Sequence, residues 1–343
     1  MKTVYSEKHR LHHATLELIE GRMQPAVEMP SRAETVLARV EAVSLGPIIE
    51  PSAHGLDPVL RIHDGRFVKF LREAWDLWTA EGHDYEALPL VWPTRGLRQI
   101  EPDHIDGKLS YFSFDAGTPI TAGTWVAAAA SADVALTGAD LIRAGAGGAF
   151  ALCRPPGHHA ATDFYGGYCF LNNAAIAAQS FIDAGAGRVA ILDVDYHHGN
   201  GTQAIFYDRP DVFFASLHGH PRQEFPFFLG YEDETGAGAG EDCNANYPLP
   251  WGSGFDVWRA ALREACKRIG DYGPEALIVS LGVDTFEHDP ISKFKLKSAD
   301  YVTIGNEIAT LGKPTLFVME GGYAVAEIGV NAVNVLTGFE GNG

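Results

Sequence analysis

The sequence predicts an α/β protein: one open domain whose central, mostly parallel sheet is covered by helices on both faces. Two observations favour this class. Short apolar segments, several rich in β-branched side chains, recur along the chain, as expected of strands buried on both faces of a sheet. Helical patterns lie between these segments, and such alternation is typical of parallel strands joined by crossover helices.

The predicted elements follow in chain order. The strands are Thr3–Tyr5, Ala149–Cys153, Val189–Val194, Val212–Leu217, Leu277–Leu281 and Thr315–Met319. The helices are Val59–Trp78, Thr124–Arg143, Asn172–Ala184, Val257–Tyr272 and Ala299–Leu311. No internal repeat and no long low-complexity linker divides the 343 residues, so a single domain is expected.

Residues 81–119 do not follow the alternating pattern. They are rich in proline, glycine and aromatic side chains, and they show little periodicity. Long connections of this kind are usually lids, binding loops or interfaces. The aromatic content argues against a disordered insertion.

The charge of the chain limits the classes of partner. Lys and Arg number 26 against 44 Asp and Glu, a formal net charge of −18. Phosphate-rich partners would be repelled, so neither nucleic acid nor an anionic membrane is expected. Cationic small molecules or basic peptides fit better, although an acidic surface can also serve solubility alone.

The sequence also bears on the compartment. Its first residues, MKTVYSEKHR, lack the apolar segment of a signal peptide, and no continuous apolar run is long enough to span a membrane. The four cysteines form no CxxC pair. A cytoplasmic location is expected.

Polar side chains follow four of the predicted strands where each strand ends. In parallel sheets, binding sites form at this edge. The segments concerned are 154–159, 193–201, 282–284 and 320–323.

Three of these residues have the chemistry of a metal site. Asp195 and His197 are two apart, so on an extended segment their side chains would project to one side, and Asp284 would add a second carboxylate. Three nitrogen and oxygen ligands with an open fourth position suit a catalytic zinc. Each residue alone has an ordinary alternative, a chance match or a helix cap.

The pair His158-His159 follows a rigid Arg-Pro-Pro-Gly segment. A histidine beside a metal-bound water is a natural general base, because its pKa lies near working pH. A buried structural pair is the alternative. Tyr323, after Gly321-Gly322, could fit over the site or simply end a turn.

Together these residues resemble the histone deacetylase superfamily, and within it the bacterial acetylpolyamine amidohydrolases. The resemblance runs over nearly the whole chain. The motifs that carry it are RPPGHHA (154–160), GGYCFLNNAAIAA (166–178), DVDYHHGNGTQ (193–203), SLHGHP (216–221), SLGVDTFEHDP (280–290) and MEGGY (319–323).

The resemblance implies one α/β domain with a sheet of about eight strands and a zinc ion held by Asp195, His197 and Asp284. It implies His159 as general base and then general acid, with His158 as its electrostatic partner.

The remaining catalytic roles also come from the resemblance. Asp193 would hydrogen-bond His158, Asn200 would orient His159, and Tyr323 would donate to the substrate carbonyl.

The resemblance further implies a narrow channel and two potassium sites. Gly167, Tyr168 and Phe225 match the channel walls. The first potassium site matches Asp193, Asp195, His197, Ser216 and Leu217. The second matches Phe206, Arg209 and Val212.

The substrate expected from the resemblance is an acetylated polyamine, such as acetylputrescine, acetylcadaverine or acetylspermidine. In that branch the segment matching residues 81–119 supports a homodimer and narrows the entrance, and Asp106 falls where the branch places an acidic group. A broader deacetylase of acetyl-lysine peptides and a non-catalytic acetylamine-binding protein are the alternatives. A binuclear arginase-type site is disfavoured, because Gly199 and Gly282 stand where its additional carboxylates belong.

Overall fold

The computed structural model describes residues 1–341. Its strands are β1 (Lys2–Val4), β2 (Leu16–Ile19), β3 (Arg22–Pro25), β4 (Ile48–Ile49), β5 (Gly148–Ala151), β6 (Val189–Asp193), β7 (Val212–Gly219), β8 (Asn244–Leu249), β9 (Ala276–Leu281) and β10 (Thr315–Met319). Its helices are α1 (Ser31–Ala42), α2 (Asp57–Leu60), α3 (Gly65–Ala80), α4 (Ile105–Tyr111), α5 (Thr124–Arg143), α6 (Asn173–Asp183), α7 (Asn200–Phe206), α8 (Phe255–Tyr272), α9 (Asp300–Ala309) and α10 (Ile328–Gly341).

Eight of the strands form one sheet in the order β4-β1-β5-β10-β9-β6-β7-β8. Each pair of neighbours in it is parallel. Strands β2 and β3 form a separate antiparallel hairpin. The predicted fold class is confirmed, and all six predicted strands are present.

Helices cover both faces of the sheet because successive strand residues point to opposite sides. Val189 and Ile191 of β6 join the core that includes α5 and α6, whereas Ala190 and Leu192 join the core that includes α8, α9 and α10. Each of these four side chains is fully buried. Continuous apolar strands were therefore the correct signal for a sheet buried on two sides.

The prediction of one helix over Val59–Trp78 was wrong, because the chain breaks between α2 and α3. Asp64 lies in the break with extended backbone, and its side chain accepts a hydrogen bond from Arg66 N at 2.7 Å. Asp64 N donates to Thr162 O at 2.8 Å. This N-cap starts a new helix and interrupts the apolar periodicity.

Two features bear on other sequence expectations. Among the described helices, α5 alone is long and apolar enough to cross a membrane, and 67% of its apolar window is buried inside the protein, as in a core helix. Residues 81–119 contain α4, and Phe112 is fully buried 4.8 Å from the stacked ring of Phe70. The insertion therefore packs onto the domain.

Candidate metal centre and active site

Four adjacent strands deliver the predicted polar residues to one edge of the sheet. In sheet order these strands are β5, β10, β9 and β6, and all run in the same direction. Their carboxyl ends lead into the segments that begin at Arg154, Glu320, Gly282 and Val194. The topology thus brings together residues that are far apart in sequence.

Asp195, His197 and Asp284 form a buried cluster at this edge, and one ligand atom from each lies within 4.8 Å of the others. His197 Nδ1 is 3.0 Å from Asp284 Oδ2 and 3.4 Å from Asp195 Oδ1. The sequence argument supposed that Asp195 and His197 lie on an extended segment, and this was wrong. They lie in a bend after β6, and this bend points both side chains at Asp284.

Backbone N–H groups fix both carboxylates. Gly321 N donates to Asp195 Oδ2 at 2.7 Å, and Tyr196 N donates to Asp284 Oδ1 at 2.8 Å. Burial raises the pKa of Asp284 to about 8, and the charge of Asp195 adds to the rise. Two buried carboxylates at this separation repel each other, so the cluster suits a bound cation.

Three glycines lie against the carboxylates, where any larger residue would clash with them. A Cβ atom at Gly282 would lie 2.0 Å from Asp195 Oδ2, and one at Gly321 would lie 2.4 Å from the same oxygen. At Gly199 it would lie 2.3 Å from Asp193 Oδ2. This backbone therefore has no room for an arginase-type carboxylate at Gly282 or Gly199.

His158 pairs with a carboxylate. Its Nδ1 lies 2.9 Å from Asp193 Oδ2, and both side chains are buried. Burial acts to lower the pKa of His158, but the carboxylates of Asp193 and Asp195 together outweigh it, and the pKa is raised to about 10. His158 is accordingly a cation at neutral pH.

His159 pairs with an amide. Its Nδ1 lies 2.6 Å from Asn200 Oδ1, so Nδ1 carries the proton and Nε2 is left as a proton acceptor. Burial lowers the pKa of His159 well below its ordinary value, and the neighbouring charge of His158 lowers it further. His159 is therefore neutral at physiological pH.

Tyr323 is buried at the same edge and held from two sides. Its backbone N donates to Asp289 Oδ2 at 2.7 Å, and the Arg32 guanidinium lies 4.6 Å from its ring centroid. Arg32 also donates to the carbonyl oxygens of Gly322 and Glu320. Burial raises the pKa of Tyr323 well above its ordinary value, so its hydroxyl remains a hydrogen-bond donor.

The predicted channel residues surround these groups. The Phe225 ring lies 5.1 Å from that of His159, and the Tyr168 ring lies 5.5 Å from that of Tyr323. At Gly167, where φ is +54°, a Cβ atom would lie 2.2 Å from His159 Cδ2. This position therefore requires glycine.

Sequence reasoning missed several residues of this site. Phe114 lies 5.5 Å from Phe225 and 6.1 Å from His159, so it adds a third ring to the walls. Arg32, Asp289 and Glu320 act on the backbone of the site's loops. Phe114 lay among the aromatic residues of the segment 81–119, Asp289 in the motif 280–290 and Glu320 in the strand-end segment 320–323, but none had been given this role, and Arg32 lay in no quoted motif.

The role of Asp106 at the rim of the channel stays a prediction. Asp106 lies in the first turn of α4, where its carboxylate is half exposed and 3.6 Å from His104 Nδ1. The first set of predicted potassium ligands spans the end of β6 and β7, where Asp193 pairs with Ser216 and Leu217 follows. Phe206, Arg209 and Val212 lie between the end of α7 and the start of β7. Both potassium sites remain predictions.

The fold and this cluster define an α/β protein with a three-residue metal centre at the carboxyl edge of a parallel sheet. Comparison gives its family: the chain belongs to the histone deacetylase family, because residues 26–339 match the histone deacetylase domain. Membership implies a bound metal ion, and the residues present fit one.

Several relatives that match over the full length of the chain belong to one branch of this family. Acetylpolyamine amidohydrolase 2 of Pseudomonas aeruginosa is 62% identical over 341 residues, covering 99% of each chain. Acetylpolyamine amidohydrolase of Mycoplana ramosa is 53% identical, covering 99% of this chain and 100% of that protein. The crystal structure of acetylpolyamine aminohydrolase from Burkholderia pseudomallei superposes with a TM-score of 0.93 at 38% identity, covering 99% of this chain and 98% of that one.

Proposed function

We propose that the protein is a zinc-dependent amidohydrolase that removes the acetyl group from acetylated polyamines. The observation that carries this proposal is the buried cluster of Asp195, His197 and Asp284 beside the neutral His159. The names of the full-length relatives support the substrate class.

Asp195, His197 and Asp284 would hold the zinc ion. When bound, zinc supplies Lewis-acid polarisation of the acetyl carbonyl and increases the acidity of the attacking water. The nitrogen and oxygen donor set and the burial of all three side chains fit this ion.

The protein's own residues perform the proton transfers. His159 accepts the proton of the water at Nε2, which is free because Asn200 holds Nδ1. It then returns the proton to the leaving amine. Tyr323 donates a hydrogen bond to the substrate oxygen as negative charge develops there, a contribution of roughly 3–4 kcal/mol for such donors.

The channel selects the shape of the substrate. The rings of Phe225 and Phe114 pack against His159, and the ring of Tyr168 packs against Tyr323. Such walls suit the methylene chain of an acylated amine, while the net charge of −18 favours a cationic remainder.

The test is acetate release from acetylputrescine, acetylcadaverine, acetylspermidine, acetylspermine and an acetylated histone peptide, each with zinc-loaded and chelator-treated protein. We expect turnover of the polyamines that is lost with chelator and restored by zinc. Preference for the peptide would indicate a broader acetyl-lysine deacetylase. Absence of turnover in every arm would indicate an acetylamine-binding protein.

We also propose a cytoplasmic homodimer that pairs through residues 81–119. This segment exposes several large apolar side chains, namely Tyr85, Leu90, Val91, Leu97 and Ile100. This concentration of exposed apolar side chains in one segment supports its use as an association surface. Light scattering should give twice the chain mass for the wild type and the mass of a single chain for Leu90→Asp. An unchanged mass for that variant would show that the interface lies elsewhere.

A further inference from the structure

A carboxylate lies beside the channel wall and is not used by the proposed mechanism. It belongs to Glu224, which immediately precedes the wall residue Phe225 in an irregular segment, residues 220–231 (the Phe225 loop). The ring of Phe225 lies 5.1 Å from that of His159 and 6.1 Å from that of His197. The conformation of this loop therefore sets one wall of the site.

Three donors converge on Glu224. Tyr196 Oη donates to Oε2 at 2.6 Å, and Trp251 Nε1 donates to the same oxygen at 3.0 Å. The backbone N of Phe225 donates to Oε1 at 3.1 Å. Because these donors already occupy both oxygens, Glu224 is poorly suited to bind a substrate ammonium group.

Tyr196 is itself part of the metal-binding segment, since it lies between Asp195 and His197. Its backbone N donates to Asp284 Oδ1 at 2.8 Å, and its ring packs edge-on against His197 at 5.0 Å. Tyr196 thus contacts the metal ligands through its backbone and its ring, and it contacts Glu224 through its hydroxyl.

The contact between Tyr196 and Glu224 is closely packed. A Cβ atom at Gly219 would lie 3.1 Å from Tyr196 Oη and 3.1 Å from Glu224 Cγ. The Tyr196 ring also packs edge-on against Phe294 at 4.6 Å. The hydroxyl therefore has a fixed position from which to hold the carboxylate.

We propose that Glu224 is a positioning residue: bonded to Tyr196, it holds the Phe225 wall at a fixed distance from the metal ligands and so sets the width of the channel. Trp251 anchors the same carboxylate from the outer side. The expected effect on KM rests on the proposed function, whereas the expected effect on the position of the Phe225 loop does not.

The test is a double-mutant cycle of Tyr196→Phe and Glu224→Gln. Tyr196→Phe removes one oxygen and keeps the ring. Glutamine presents one acceptor and one NH2 group, so in either orientation an N–H of Trp251 or Phe225 meets another donor. We expect each single variant to lose about tenfold in kcat/KM for acetylputrescine, mainly through KM, and the double variant to lose about the same.

Hydrogen exchange gives a readout that does not depend on activity. Amides of residues 220–231 should exchange faster in both single variants, while zinc content stays at the wild-type level. Glu232→Gln is the matched control, because Glu232 is exposed, lies just after the same loop and loses the same charge. It should change neither exchange nor KM.

Multiplicative losses in the double variant, or unchanged exchange in the Phe225 loop, would overturn the proposal. If Glu224→Gln does not fold, Tyr196→Phe alone decides, through KM and exchange. If wild-type protein turns over no acetylated amine, the proposed function fails, and faster exchange in Tyr196→Phe still supports the positioning role.

Discussion

His158 and His159 are neighbours in sequence, each 3% exposed, with ring centroids 4.0 Å apart, yet they differ in charge. Burial acts to lower the pKa of both, yet the pKa of His158 is raised and that of His159 is lowered. The difference comes from their partners, a carboxylate for His158 and an amide for His159. The charge of the hydrogen-bond acceptor, rather than burial, decides which imidazole is protonated.

This difference separates the two histidines chemically. A general base must be neutral before it acts, and only His159 meets that condition at physiological pH. Burial holds the pKa of His159 low, and the cation at His158 lowers it further, because like charges this close lower each other's pKa. The site therefore combines a charged dyad, His158 with Asp193, and a neutral dyad, His159 with Asn200.

The largest effect is expected from removing each imidazole in turn. His159→Ala should lower kcat for acetylputrescine by about 10²–10⁴-fold, the usual contribution of general acid–base catalysis. His158→Ala should lose less, because it removes a neighbouring charge and not the proton acceptor. Steady-state kinetics at equal zinc content gives the comparison. An equal or larger loss for His158→Ala would reverse the two assignments.

A smaller effect is expected on stability from Asp193→Asn, which removes the carboxylate partner of His158. The variant breaks a buried charge pair and should lower the free energy of unfolding of metal-free protein at pH 6.5 by about 3–5 kcal/mol. Urea unfolding of chelator-treated protein measures it.

The same experiment at different pH values tests the direction in which the stability of the pair changes with pH. The pKa of His158 is about 10 in the folded protein, above its unfolded value of about 6.5. Its contribution is therefore fully present below pH 6.5 and is lost as pH rises through about 10. The wild-type excess over Asp193→Asn should shrink across that window. A constant difference would show that the pair is not charged as described.

The buried cluster could be predicted from sequence because Asp195 and Asp284 follow apolar segments, and the ends of such segments meet at one sheet edge. The dyad partners came only from family resemblance. Asp289 lies in the motif 280–290, but its carboxylate accepts from the backbone N of Tyr323 in another segment, and Arg32 reaches the same loop from α1, so nothing local to either residue indicates these contacts. A contact with the backbone of another segment has no periodicity of its own, so sequence reasoning could not assign the role.

The smallest effect should come from Asn200→Asp, which turns the neutral dyad into a charged one. A carboxylate at Nδ1 stabilises the protonated ring, so the pKa of His159 should rise from its lowered value. The acid limb of kcat/KM should move to higher pH by about 1 unit or more, because the base is neutral only above its pKa. A pH–rate profile measures the limb.

Asn200→Ala is the matched control for that variant. It removes the acceptor at 2.6 Å without adding charge, so activity should fall while the acid limb does not move to higher pH. If the limb moved equally in both variants, loss of the hydrogen bond would be the cause. Movement in Asn200→Asp alone would show that a charged acceptor raises the pKa of His159, which burial and the cation at His158 otherwise hold low.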